Sequence, residues 1–346
     1  MGTSRQYVRA GSVVAAAALV VGGVVPVSAS DAVIGQRAVA SVDASVPSDA
    51  QLASATPLEL LKAVIRCEDV GADQQYCLHI GFMSPRQTPE QVDAMLRKAS
   101  TGPDSDDGVA TLLGVAHRVA TRPYDQRAVD EKAEIAAAVK QANGVAKTTR
   151  HVMSAATSSS MPTRLVLPMG LPEQDTNWYC GPASVAAVAY GHSTTVDQST
   201  WAFRLGTTQD GGTDVSQMPA VLNYYTSRGD STPYTDISTG ASSANDYLAY
   251  VREAIYTNNH PAIQQVKLYK AFFPYVRVNH GGHFQPVNGY DTVARTVIFT
   301  EVYDEATYTS GGAHTGGPKE LPVTLVFAAN QASYNAMPGV FGRLVI

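Results

Sequence analysis

The run Asn177-Trp178-Tyr179-Cys180-Gly181-Pro182-Ala183 constrains this 346-residue chain more than any other feature. Proline presets φ and lacks an N–H that a first helical turn leaves unpaired anyway, so Gly181-Pro182 marks a helix start. Pro182 to Tyr190 then reads as a compact Ala/Val helix closed by Gly191. Cys180 is thereby placed at a helix N-terminus, where partial positive charge and free N–H groups stabilise a thiolate. A cysteine is equally at home buried at the start of an Ala-rich helix. Position alone leaves packing and chemistry both open.

Three cysteines are present, Cys67, Cys77 and Cys180. In an oxidising compartment an odd count means one pair and one spare thiol. Cys67 and Cys77 are close enough in sequence for a small disulfide, which leaves Cys180 spare. Residues 1–29 read as a signal peptide. Arg5 and Arg9 precede an apolar run from Val13 to Val25, and Val27-Ser28-Ala29 supplies small residues for cleavage. The run is short for a bilayer and ends at Pro26, so a secreted, extracellular product is expected rather than an anchored one. No later stretch has the length of a membrane span. The net charge of −5 becomes −7 without Arg5 and Arg9. That balance argues against a nucleic-acid partner and gives no pull toward anionic membranes. Oligomeric state is left open.

Hydrophobic content of 45% supports folding of most of the chain. Residues 30–55, rich in Ala, Ser, Val and Asp, read as a flexible leader. Thr56-Pro57-Leu58-Glu59 is a capping box with proline at the first helical position, and Thr88-Pro89-Glu90-Gln91 repeats the signal. Residues 125–155 are charged and Ala-rich, as in one long helix, and Ser154–Pro162 reads as a linker. Residues 56–160 are therefore expected to form a small helical region, either a removable propeptide or a permanent accessory domain. Residues 161–346 are richer in Gly, Tyr and β-branched residues. Ala262–Val266, Thr296–Val302 and Val323–Phe327 read as strands. A helix bearing the thiol packed on an antiparallel sheet is an α+β domain.

A nucleophilic thiolate needs a base. His283, in Gly281-Gly282-His283-Phe284-Gln285-Pro286-Val287-Asn288-Gly289-Tyr290-Asp291, has the best context of eight histidines. A third group should orient its ring from the next strand, and Thr296–Glu301 ends in a carboxylate. Asp304 is the reserve candidate. Gln174, six residues before Cys180, can offer its amide beside the Cys180 N–H as a second oxyanion donor. Pro286 cannot donate to a ladder and so marks an edge or bulge after the base. His280-x-x-His283 lacks a third ligand at metal spacing, and no metal or cofactor is expected. Trp178 and Tyr179 either line a substrate cleft or pack the helix entrance. Asp291 reads as a turn residue and His192 as a surface or helix-end residue.

These elements occur in a telling order: Gln174-x5-Cys180-Gly-Pro-Ala, Leu205-Gly-Thr-Thr with Gly211-Gly-Thr, Gly282-His-Phe, Val287-Asn-Gly-Tyr-Asp, and the strand ending at Glu301. Together they resemble the bacteriocin-processing (double-glycine) branch of the papain-like cysteine peptidases, over roughly residues 165 to 305. The resemblance implies a papain-like fold, hydrolysis of a peptide or protein substrate, Cys180 as nucleophile, His283 as base and Gln174 in the oxyanion hole. It places the third triad member on Glu301, one methylene longer than the Asp more usual in the family. Two other outcomes fit the same residues: an amide or isopeptide hydrolase acting on cell-wall material, and a catalytically silent papain-like binding module.

Overall fold

The computed structural model describes residues 46–70, 74–101, 112–142, 161–226, 232–237, 241–338, 340 and 342–346. The expected signal peptide, the leader up to residue 45 and most of the expected linker lie outside the described residues.

Capping boxes at Ser48 and Thr56 start α1 (Asp49–Ala53) and α2 (Pro57–Val64). The first falls inside the stretch expected to be a flexible leader. There Ser48 and Gln51 satisfy each other's backbone groups, Leu52 is buried, and Arg127 pairs with Asp49 at 2.7 Å. α3 (Pro89–Thr101) begins at the second predicted start. α4 (Leu112–Ala120) and α5 (Tyr124–Ala142) follow. The rest of the expected 125–155 helix lies outside the described residues.

The N-terminal region is not only helical. β1 (Cys67–Asp69), β2 (Gln74–Cys77) and β3 (Phe82–Pro85) form a three-stranded antiparallel sheet. Strands of three or four residues are too short for alternation to show in a sequence. Cys67 stands opposite Cys77 across β1 and β2, and the two form the expected disulfide.

The second half is built on a seven-stranded sheet of β4 (Arg164–Val166), β5 (Asp236–Ile237), β6 (Ala262–Lys267), β7 (Gly282–Asp291), β8 (Thr296–Glu301), β9 (Gly317–Pro322) and β10 (Leu344–Val345). The order is β5-β10-β6-β7-β8-β9, and β4 also pairs with β7. Every pairing is antiparallel. On one face α6 (Cys180–Gly191), α7 (Gln198–Arg204) and α8 (Met218–Tyr225) bury Val185, Val188, Trp201 and Leu222 against Ile263, Phe284 and Val345. On the other, α9 (Ala244–Arg252) and α11 (Val323–Ala336) pack on Ala262, Val266, Val287 and Phe299. This is the α+β architecture expected, with a short α10 (Glu305–Tyr308) between β8 and β9.

Val323–Phe327, expected as a strand, is instead the start of α11. A five-residue apolar run does not distinguish strand from helix. What decides is the continuation: Val323, Val326, Ala329, Asn330 and Ser333 are buried at helical spacing.

The two halves share buried polar contacts. Arg122 donates to both Asp130 and Asp291. Arg164 reaches Asp291 at 3.3 Å and Glu320 at 3.0 Å, and Arg118 reaches Glu320 at 3.2 Å. Tyr76 donates to the Val166 carbonyl at 2.9 Å. Asp291 also accepts from the Val293 and Ala294 N–H groups, so the expected turn role holds beside an ionic one.

Candidate active site

Cys180 begins α6 with its side chain half-buried, and no side chain caps that helix. First-turn N–H groups there are left for another acceptor. The turn behind it is tight. A Cβ on Gly181 would come within 2.2 Å of the Thr213 hydroxyl. Thr213 is fixed in turn by Thr207 at 2.8 Å. The Leu205-Gly-Thr-Thr and Gly211-Gly-Thr elements are thus one loop braced against the residue that follows Cys180.

His283 lies near the start of β7 and is 5% exposed. Its Nε2 bonds Glu301 Oε1 at 2.6 Å. That bond leaves Nδ1 for the Cys180 sulfur, with which the imidazole also interacts. Burial alone would depress the imidazole. The Glu301 carboxylate and the Cys180 sulfur outweigh it and push the pKa up to about 10. Glu301 ends β8, fully buried. Burial would raise its pKa, but His283, the Tyr303 N–H at 2.9 Å and Gln285 hold it below the usual carboxylate value. Its second oxygen accepts from Gln285 Nε2 at 2.7 Å and the Tyr275 hydroxyl at 2.9 Å. The extra methylene of glutamate is accommodated because both oxygens are held.

Asp304 is turned elsewhere. It accepts from the Thr315 N–H at 2.9 Å and pairs with His314 at 3.0 Å. His280 pairs with Glu305 at 3.0 Å, and Tyr303 stands edge-on to both His280 and His283.

Gln174 is 3% exposed on the strap leading to Cys180. Its backbone N–H donates to Val302 O at 2.8 Å, beside Glu301, and its Nε2 donates to Thr176 O at 2.7 Å. Gln198 grips the strap on either side, accepting from Asp175 N at 3.0 Å and donating to Glu173 O at 2.6 Å. The structure therefore gathers Cys180, His283 and Glu301, with Gln174 on the strap that leads to Cys180 and its amide donating to Thr176 O. Trp178 and Tyr179 are half-buried and meet edge to face at 5.9 Å. His192 ends α6 and meets the Tyr234 hydroxyl at 3.2 Å.

Pro286 sits where β7 pairs with β6 and has no register partner on β8. The ladder to β8 begins at Val287 and slips between Val287 and Gly289, which is the bulge that the proline predicts. Asn288, at that slip, ties β7 to Leu167 O at 3.0 Å.

Gln198, Gln285, Tyr275 and Lys319 were not singled out by sequence. Lys319 lies on β9, buried, with Nζ 5.3 Å from the Tyr275 ring centre. Burial, opposed by Glu301 and Asp304, lowers its pKa to about 8. Gln285 lies within the run around His283, and the other three belong to no local motif.

Residues 167–315 match the Peptidase_C39 like family. The matched stretch contains Gln174, Cys180, His283, Glu301 and Asp304, and it supports a C39-like cysteine peptidase in this part of the chain. No curated protein matches the chain.

Proposed function

We propose that the protein is a secreted cysteine peptidase that hydrolyses peptide bonds through Cys180, His283 and Glu301, with Gln174 assisting at the oxyanion. The reading is carried by one observation: the line from the half-buried Cys180 through buried His283 to buried Glu301, with its 2.6 Å bond between ring and carboxylate. His283 takes the Cys180 proton, and the thiolate attacks the substrate carbonyl. The Cys180 N–H and the Gln174 amide stabilise the oxyanion. His283 then protonates the leaving amine, and water releases the acyl group. Glu301 keeps the ring oriented, and its bond to His283 favours it over Asp304, which His314 occupies.

The sequence of residues 1–29 supports secretion, and the ion pairs of Arg122 with Asp291 and of Arg118 with Glu320 support a permanent N-terminal region over a propeptide. The test is hydrolysis of casein peptides beside peptidoglycan by the wild type and Cys180→Ala. Loss of peptide cleavage in the variant is expected. Full retention would overturn the assignment, and cleavage of peptidoglycan alone would redirect it to cell-wall amides.

A further inference from the structure

Glu301 does not stand alone behind His283. Side chains two apart on a strand share a face, so Gln285 lies on the same side of β7 as His283. Gln264 on β6 is its direct cross-strand partner. Gln264 Nε2 donates to Gln285 Oε1 at 2.7 Å, and Gln285 Nε2 donates to Glu301 Oε2 at 2.7 Å. Beyond Gln264, the hydroxyl of Tyr247 on α9 donates to Gln264 Oε1. Tyr247, Gln264, Gln285 and Glu301 are all fully buried.

The direction of this chain is dictated by its end. An ionised carboxylate only accepts, so Gln285 must present its NH2 group to Glu301 and its carbonyl to Gln264. Gln264 must then donate, and its own carbonyl is left for a hydroxyl. Three donors in series point at one carboxylate, and each polarises the next. Two glutamines buried in the apolar core of the sheet are otherwise a costly choice.

We propose that Tyr247, Gln264 and Gln285 are positioning residues: a directional hydrogen-bond ladder that fixes the Glu301 carboxylate against His283. The proposal rests on the reading of Cys180, His283 and Glu301 as the reacting unit. The other titratable or charged groups packed around that unit are Tyr275, Tyr303, Lys319, and the His280–Glu305 pair, with Asp304 beyond Lys319. The ladder variants leave all of them in place.

Cys180 is the single thiol outside the disulfide, so iodoacetamide reports on it alone. Slackening Glu301 weakens its hold on the imidazolium, and the imidazolium then supports the Cys180 thiolate less. Wild-type alkylation at pH 7 is expected to outpace that of a free thiol such as glutathione. In Gln285→Leu the midpoint of the rate–pH profile should rise by about one unit relative to the wild type. Tyr247→Phe removes one oxygen three links away and keeps the ring. It should move the midpoint the same way by about a third as much, and the double variant should match Gln285→Leu because the links act in series. Two variants with lowered thermal stability but an unmoved midpoint would overturn the ladder and leave the reacting unit standing. Tyr247→Phe decides alone should Gln285→Leu fail to fold. A wild type that alkylates at pH 7 no faster than the free thiol would remove the reacting unit itself.

Discussion

At the scale of single residues, His283 is the group whose charge the fold controls most closely. Its folded pKa of about 10 exceeds the ordinary 6.5. The stability it contributes is therefore complete below pH 6.5 and is lost as pH rises through 10. Glu301→Gln keeps the shape and removes the anion. Calorimetric melting temperatures should fall between pH 6.5 and 10 in the wild type and vary much less in the variant. Peptide hydrolysis at pH 7 should drop by about tenfold or more in the variant, as expected of an orienting group. Cys180, His283 and Gln174 were legible because each sits in a short run whose backbone demands are local: a helix start, a glycine pair, a strap. Glu301 was legible as a carboxylate ending the next strand. Gln264 and Gln285 were not, since two glutamines become a pair only when the register of β6 on β7 is known.

At the scale of elements, the nucleophile helix is seated by what surrounds its first turn. A methyl at Gly181 would collide with the Thr213 hydroxyl and its Cβ. Gly181→Ala should cost about 1–3 kcal/mol, as overpacking commonly does, and slow alkylation of Cys180. Adding Thr213→Gly clears the space and should restore much of the lost melting temperature. If Gly181→Ala alone leaves both readouts unchanged, the loop does not brace the helix. The bulge after Pro286 could be anticipated because proline cannot donate to a ladder. Val323–Phe327 could not be assigned from its own five residues. Only the buried positions that follow, through Ser333, show a helical period.

At the scale of the whole molecule, the family match begins at Leu167, yet the ion pairs that hold the sheet's edge reach back to Arg118 and Arg122. Asp291→Asn keeps the turn and leaves two buried guanidinium groups without their shared anion. It should destabilise by about 3 kcal/mol or more, read by urea melts. An unchanged midpoint would mean that the halves do not depend on this junction. Glu320 is held at about 2, against an ordinary 4.5, because Arg164 and Arg118 outweigh its burial. The stability it contributes is present above pH 4.5 and is lost as pH falls toward 2. Glu320→Gln should flatten that part of the acid melting curve.

The disulfide has a further consequence, one that concerns the order of events while the chain folds. Three thiols offer three pairings, and two of those consume Cys180. Cys67 and Cys77 close a loop of ten residues, whereas Cys77 and Cys180 are about a hundred apart. Loop-closure entropy favours the short loop by about 2 kcal/mol, roughly thirtyfold, before any tertiary contact forms. The antiparallel register of β1 and β2 then brings the two sulfurs into line. During oxidative refolding the local pair should close first, leaving the reactive thiol reduced until the sheet assembles around it.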